Sequence, residues 1–340
     1  MEKFIVSRDD SIYEAFPDVV LAADGTLVCV FTECTHHCDR TGARLCLCRS
    51  RDRGRTWTPK EYLTEPGAND GNYNCARLSR LSDGRLILVC DFITEAGKSD
   101  TAIVRMWQSA DNGQSWNGPV DTPARGIVPD KLTELDTGRW LLAAHTESKE
   151  HGKLTEYLWY SDDKGQSWSD RITVATDPHY ELCESSMLPL GDGTVVCFLR
   201  ENSGCGWDGM KTISHDNGET WEGPYNVPVP GMHRPTVGRL TDGRYLLTCR
   251  LHQGYCGSWG AYQLTLGGVM TCDTVLATSR CLQRVRLFPV DFDRSPQSDT
   301  GYTGWVQWDD GEILIVNYIM DDAPKAWIRA TVLRIEEVVL

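Results

Sequence analysis

Residues able to hold an anion or move a proton stand at both ends of six short pairs of apolar runs. Before or within the first run of each pair come Pro17-Asp18, Asn74 to Arg77, Asp130-Lys131, Glu184-Ser185, Arg234-Pro235 and Tyr302-Thr303. After the second run come Glu33, Asp91, His145, Arg200, Arg250 and Tyr318. Packing does not call for charge beside apolar runs, because a buried charge is costly unless paired. Arginine can grip a carboxylate with two parallel bonds. Carboxylates and imidazoles can pass protons. A phenol, with a pKa of about 10, is a poor nucleophile unless a base takes its proton. Loop ends are polar in most proteins, so the set carries the argument rather than any one member. A further group of reactive types is Glu33-Cys34-Thr35-His36-His37-Cys38-Asp39-Arg40, where two cysteines bracket two histidines. That could begin a metal site, but no second ligand pair has matching spacing, so no metal is expected.

The elements that must position these residues are visible as repeats. Six pairs of apolar runs flank tight turns at Asp24-Gly25, Asp83-Gly84, Thr137-Gly138, Asp192-Gly193, Asp242-Gly243 and Asp310-Gly311. Asp-Gly between apolar runs is a strong hairpin signal. A second repeat follows the first four hairpins: Ser50 to Trp57, Ser109 to Trp116, Ser161 to Trp168 and Ser214 to Trp221. Its pattern is Ser-x-Asp-x-Gly-x-Ser/Thr-Trp. The Asp can accept from nearby backbone N–H groups, the Gly can take positive φ, and the Trp can staple the turn to a sheet.

Two hairpins per unit, repeated every ~50–60 residues, make four-stranded propeller blades. Six units fill residues 1–340 as one expected domain, an all-β six-bladed β-propeller. The run from Trp327 lacks a fourth partner, so the Lys3 to Val6 strand is expected to complete the last blade and close the ring. Closure removes free sheet edges. In such a ring the charged hairpin ends gather at one mouth of the central axis.

The boxes and the six hairpins resemble the sialidase (neuraminidase) superfamily over essentially the whole chain. The resemblance implies a glycoside hydrolase whose arginines hold a sugar carboxylate, with a tyrosine nucleophile, a glutamate that takes the tyrosine's proton, and an aspartic acid on a loop that protonates the leaving group. It also implies that the boxes lie on outer turns, between third and fourth strands. By position, Tyr302 matches the nucleophile and Glu184 its partner. Arg200 and Arg250 match clamp arginines, Arg234 is an extra candidate at the mouth, and Arg77 stands at the start of another inner run. The acid falls to Asp39 or Asp18. His36 and His37 are expected to line the pocket, and Trp207 or Trp259 to stack on a sugar. Two departures stand out. Where the family has Arg-Ile-Pro, this chain reads Ala15-Phe16-Pro17, and the acid loop carries two histidines and two cysteines. A different acidic sugar fits as well as sialic acid. Rival chemistries on the same fold are a polysaccharide lyase, with Tyr302 or His233 abstracting a proton beside a uronate, and a non-catalytic sugar-binding propeller.

Composition sets outer bounds. With 41% hydrophobic and 24% charged residues a well-buried core is possible. The net charge of −14 would repel a phosphate backbone, so nucleic acid is a poor partner; the resemblance implies a glycan instead. No run of about 18 apolar residues exists to span a membrane. The N-terminus turns polar at Ser7-Arg8-Asp9-Asp10, without the apolar stretch of a secretory signal. Many of the 14 cysteines sit inside apolar runs, as Cys29, Cys90 and Cys197 do. Small buried thiols of this kind point to a cytoplasmic protein with few disulfides. No organic cofactor is implied.

Overall fold

The computed structural model describes residues 1–40, 42–65, 71–94, 101–252 and 262–339. Six antiparallel sheets follow one another along the chain as the blades of a propeller. The first blade is Tyr13–Leu21, Leu27–Cys34, Arg44–Ser50 and Glu61–Tyr62. The second has its inner strand in two pieces, Asn72–Tyr73 and Arg77–Arg80, followed by Leu86–Ile93, Ile103–Ser109 and Asn117–Arg125. The third is Thr133–Glu134, Trp140–Glu147, Leu154–Ser161 and Ile172–Ala175. The fourth is Leu182–Gly191, Thr194–Glu201, Asp208–Ser214 and Glu222–Pro230. The fifth is Met232–Arg239, Tyr245–His252, Gln263–Met270 and Arg286–Phe292.

The sixth blade uses both ends of the chain. Thr300–Gln307, Ile313–Ile319 and Trp327–Leu333 are joined by Glu2–Ser7, which pairs antiparallel with Trp327–Leu333. Helix among the described residues is limited to Cys272–Leu276 and two short 3-10 turns.

Each hairpin turn closes as its sequence requires. The glycines at 25, 84, 138, 193, 243 and 311 all have φ between +83° and +88°, a conformation open to glycine without a Cβ penalty. The Ser-x-Asp repeats lie between the third and fourth strands of the first four blades. In the first of them, Thr56 N–H and Oγ1 donate to the Asp52 carboxylate at 2.9 and 2.6 Å, and Gly54 N–H donates to Ser50 Oγ at 2.9 Å. Trp57 Nε1 donates back to Gly54 O at 2.9 Å. These turns also hold neighbouring blades together: Arg49 donates to Gly113 O, and Arg139 reaches Asn217 O and Glu219.

Six apolar clusters fill the six blade interfaces. Leu27, Phe31, Leu314 and Ile328 join the first blade to the sixth, and Val28, Val30, Leu78 and Leu88 join the first to the second. The same pattern continues around the ring. All thirteen described cysteines are free thiols, nine of them buried; Cys256 lies outside the described residues.

Candidate active site

The inner strands share one irregularity where they begin. Register shifts fall between Ala15 and Asp18, Cys183 and Ser186, His233 and Thr236, and Gly301 and Gly304. At each shift one non-glycine residue has positive φ: Phe16 at 58°, Glu184 at 50°, Arg234 at 48° and Tyr302 at 43°. Val128, at 49°, takes the equivalent place ahead of the third blade. A bulge re-aims a side chain, and strained backbone of this kind persists only where its surroundings over-determine it. In the second blade the corresponding stretch breaks the strand, and Asp91 binds it: Asn74 Nδ2 and Cys75 N–H donate to that carboxylate at 2.8 and 2.9 Å, as does Val128 N–H at 3.1 Å.

Two residues beyond the bulge the side chains turn to the next blade and form the hub. Asp18 accepts from Leu78 N–H and Val19 N–H, both at 2.9 Å. Asp130 accepts from Met187 N–H at 2.7 Å, and Ser186 from Val237 N–H at 3.0 Å. Asp18 is therefore built into the first and second blades rather than set at the mouth. Arg77 and Arg234 belong to the same floor. Arg77 Nη1 donates to Thr303 O at 2.9 Å and lies 3.6 Å from Asp18, while Arg234 donates to Ser185 O at 2.8 Å and Pro129 O at 2.7 Å. Both guanidiniums serve buried backbone carbonyls at the start of the blades, where Thr303 O also accepts from Thr236 Oγ1.

Above this floor Tyr302, Glu184 and Arg200 come together from three strands. Tyr302 Oη donates to Glu184 Oε1, and Arg200 Nη1 donates to the same oxygen at 2.8 Å. Arg200 Nη2 also donates to Asn202. All three residues are buried. Burial works to raise the Glu184 pKa, but Arg200, Arg250 and the Tyr302 hydrogen bond outweigh it and hold the carboxyl at about 2. Burial and the adjacent carboxylate push the Tyr302 phenol well above 10. The shared proton thus rests on the tyrosine. Glu184 N–H donates to His145 Nδ1 at 3.4 Å, and burial lowers that imidazole to about 4, which leaves it a neutral acceptor under the bulge. Beneath it, Ser185 Oγ donates to Glu156, whose burial lifts its carboxyl to about 8.

Arg250 stands on the other side of the tyrosine, its guanidinium carbon 5.3 Å from the Tyr302 ring centroid. Its Nη1 donates to Tyr318 Oη at 3.2 Å, and Nη2 lies 3.4 Å from His233 Nδ1. His233 stacks on His252, with centroids 5.0 Å apart, and burial between cations holds it well below its ordinary pKa. Phe16, next to Ala15 where the family's arginine is missing, packs on Tyr302 at 5.1 Å and on Tyr318 at 5.3 Å. Arg40 comes in from the loop, its guanidinium carbon 4.6 Å from the Phe16 ring centroid.

The loop closes on itself by reciprocal bonds between His36 and Asp39 backbones, at 3.1 and 3.0 Å. His36 and Asp39 are exposed, whereas His37 turns inward against Phe16 at 5.3 Å. Cys34 is buried and Cys38 exposed, and no three metal-ligating side chains converge among the described residues. Trp207 is half exposed on the fourth blade, edge-on to Tyr180 at 6.2 Å; Trp259 lies outside the described residues. Arg40, Tyr13 and Asp299 join the site without belonging to any repeat in the sequence, and Arg40 reaches it from the loop after the first hairpin. Tyr13 and Asp299 each lie three residues before a bulge, which is the one regularity that pointed to them.

This arrangement has relatives. Residues 69–315 match the family described as BNR repeat-like domain, and the chain belongs to that family. A sialidase of Paraclostridium sordellii is 27% identical over 236 residues, which cover 58% of this chain and 58% of the relative. The chain therefore spans less than two thirds of that relative's length. A solved structure of a Dyadobacter fermentans protein of unknown function superposes with a TM-score of 0.79 at 21% identity, covering 98% of both chains. The NanB sialidase of Streptococcus pneumoniae gives 0.72 at 13% identity, over 99% of this chain and 70% of that one. An α-L-arabinanase of Penicillium chrysogenum gives 0.67 at 12% identity, over 100% and 99%. The fold is that of the sialidase-like propellers, whose named members here are glycoside hydrolases.

Proposed function

We propose that the protein is an exo-acting, retaining glycoside hydrolase that removes a terminal acidic sugar from a glycan. The observation that carries this reading is the buried Tyr302–Glu184–Arg200 group, with Arg250 beside the tyrosine. Tyr302 attacks the anomeric carbon and Glu184 accepts its proton. A carboxylate held at about 2 is a weak base while Arg200 and Arg250 face it. A substrate carboxylate drawn to the same cations would compete for their charge, so the proton affinity of Glu184 would rise as the anionic sugar binds. This favours an acidic sugar over a neutral one. Ala15 in place of an arginine removes one cation, so the carboxylate would be held by Arg200 and Arg250, with Arg40 against the Phe16 ring.

The test is hydrolysis of aryl glycosides of sialic acid, hexuronic acids and neutral sugars. The wild-type protein is expected to release the aryl group from an acidic glycoside with retained configuration. Tyr302→Phe and Glu184→Gln should cut kcat by about 10²- to 10⁴-fold with the thermal transition little changed. Near-normal turnover by Tyr302→Phe would remove the tyrosine mechanism. An unsaturated, ultraviolet-absorbing product would assign the protein to the lyases instead.

A further inference from the structure

A second proton-handling cluster lies beside the first and has no part in the nucleophile's activation. Asp299, just ahead of the sixth blade, accepts hydrogen bonds from Tyr318 Oη at 2.8 Å and from Tyr13 Oη. His37 Nδ1 lies 2.9 Å from Asp299 Oδ2. The aspartate is itself held firmly: its N–H donates to Asp293 Oδ2 at 2.8 Å, and Asp293 also accepts from Ser295, Met320 and Asp321 N–H groups. The His37 and Asp299 side chains keep 11% and 17% of their accessible surface, so the pair is not sealed from solvent. Phe16 packs on both Tyr302 and His37. His37 and Tyr302 therefore belong to one aromatic cluster around the buried Phe16 ring, which Tyr318 also joins.

We propose that His37, oriented by Asp299, is the acid that protonates the leaving group. The proposal rests on the hydrolase reading above. In the first half-reaction the Tyr302 oxygen bonds to the anomeric carbon and its proton passes to Glu184. The glycosidic C–O bond breaks, its electron pair goes to the leaving oxygen, and the imidazolium gives that oxygen its proton from Nε2, the nitrogen that does not face Asp299. In the second, water bonds to the anomeric carbon and gives a proton to neutral His37. The Tyr302–carbon bond breaks, and Glu184 returns the proton to the phenolate. Asp299 fixes the ring and supports its charge, as a carboxylate beside a catalytic imidazole does. Asp39 is exposed on the loop, and Asp18 is committed to the hub.

The surroundings set the pH behaviour. Asp299 favours the charged imidazole, whereas Arg40 and Arg250 oppose it, Tyr13 and Tyr318 stay neutral, and burial is the largest influence, pushing His37 below its ordinary 6.5. The protonated donor is present at low pH and is lost as pH rises through that lowered value. Activity that needs the acid should therefore fall away below neutrality, and Asp299→Asn should move this basic limb to lower pH.

The deciding experiment compares kcat/KM on an aryl glycoside and on the methyl glycoside of the same sugar, since an activated phenol needs little protonation and methanol needs much. His37→Gln should lower kcat/KM on the methyl glycoside about 10²- to 10⁴-fold, leave the aryl value within a few-fold, and show azide rescue of turnover on the aryl substrate. Asp299→Asn should show the same selectivity with a smaller loss. The ratio of the two substrates does not depend on how much of a variant folds. Equal losses on both substrates in His37→Gln would overturn the acid assignment, as would the selective loss appearing in Asp39→Asn instead. Absence of hydrolysis by the wild-type protein on every glycoside would overturn the hydrolase reading itself.

Discussion

A single register step separates the residues that face the mouth from those that build the floor. Glu184, Arg234 and Tyr302 are bulge residues, yet Arg234 bends its guanidinium onto Ser185 O and Pro129 O while Tyr302 and Glu184 meet each other. Arg200 and Arg250 come from second strands and face the tyrosine. The two groups of arginines should respond oppositely to removal. Arg234→Met takes the guanidinium donors from Ser185 O and Pro129 O, at about 1–3 kcal/mol for each group, Arg77→Met takes the cation beside Asp18 and the donor to Pro17 O, and both should lower the melting temperature. Arg200→Met should mainly lose activity and weaken binding of an anionic sugar. Thermal melts alongside kcat/KM on an acidic aryl glycoside separate the two, and a wild-type melting temperature for Arg234→Met would contradict its place in the floor. Tyr302, Glu184 and Arg200 were legible because each abuts a repeated hairpin. The floor role of Asp18, Arg77 and Arg234 was not, because side chains alternate along a strand and a bulge shifts that alternation by a residue that only the folded backbone reveals. Asp299 and His37 lie in irregular loops 262 residues apart in sequence, where no periodicity links them.

The blade-level elements were the most legible part of the chain, since Asp-Gly turns and the Ser-x-Asp repeats state their own geometry. The break in the second blade's inner strand was not, because it depends on the distant Asp91 carboxylate binding Asn74 and Cys75. The four repeats carry a shared electrostatic signature. Hydrogen bonds from the following Ser or Thr hold Asp52, Asp111, Asp163 and Asp216 at about 2, against an ordinary 3.8; for Asp216 they do so against a larger opposing effect of burial. A carboxyl whose folded pKa is depressed contributes stability above its unfolded value and loses it as pH falls through the folded one. The repeats should therefore support the fold fully above about pH 4 and progressively less toward pH 2. Asp52 is exposed and the other three are partly so, which makes each contribution modest and salt-sensitive. Replacing Asp52, Asp111, Asp163 and Asp216 by Asn together should lower the melting temperature at pH 7 and flatten its decline between pH 4 and 2. An unchanged slope in the quadruple variant would mean that other carboxylates govern acid unfolding.

At the scale of the whole molecule, the ring holds only if its two ends meet, and the site depends on that closure. The sixth blade supplies Tyr302, Tyr318 and the segment bearing Asp299, while its fourth strand comes from Glu2–Ser7. Lys3 pairs with Asp291, which also binds Arg329, and Val6 is buried in the cluster joining the first and sixth blades. Gly304 sits so close to Asp18 that a Cβ there would lie 2.1 Å from a carboxylate oxygen, so the inner strands of these two blades are in direct contact as well. Removing residues 1–7 would uncover the edge of Trp327–Leu333, a strand whose seven residues are all buried. Burial of Val6 alone is worth about 1.5–3 kcal/mol, and the lost ladder bonds each add about 1 kcal/mol. The truncated chain should melt well below the intact one and, with an unpaired apolar edge, should associate in a concentration-dependent way. Light scattering and thermal melts at two protein concentrations would show this. Because Phe16 of the first blade touches Tyr302 of the sixth, the truncated protein should also lose turnover on any glycoside the intact protein hydrolyses, even where it remains folded. A monomeric truncated protein with the intact melting temperature and turnover would mean that the inner-strand contacts alone hold the ring shut.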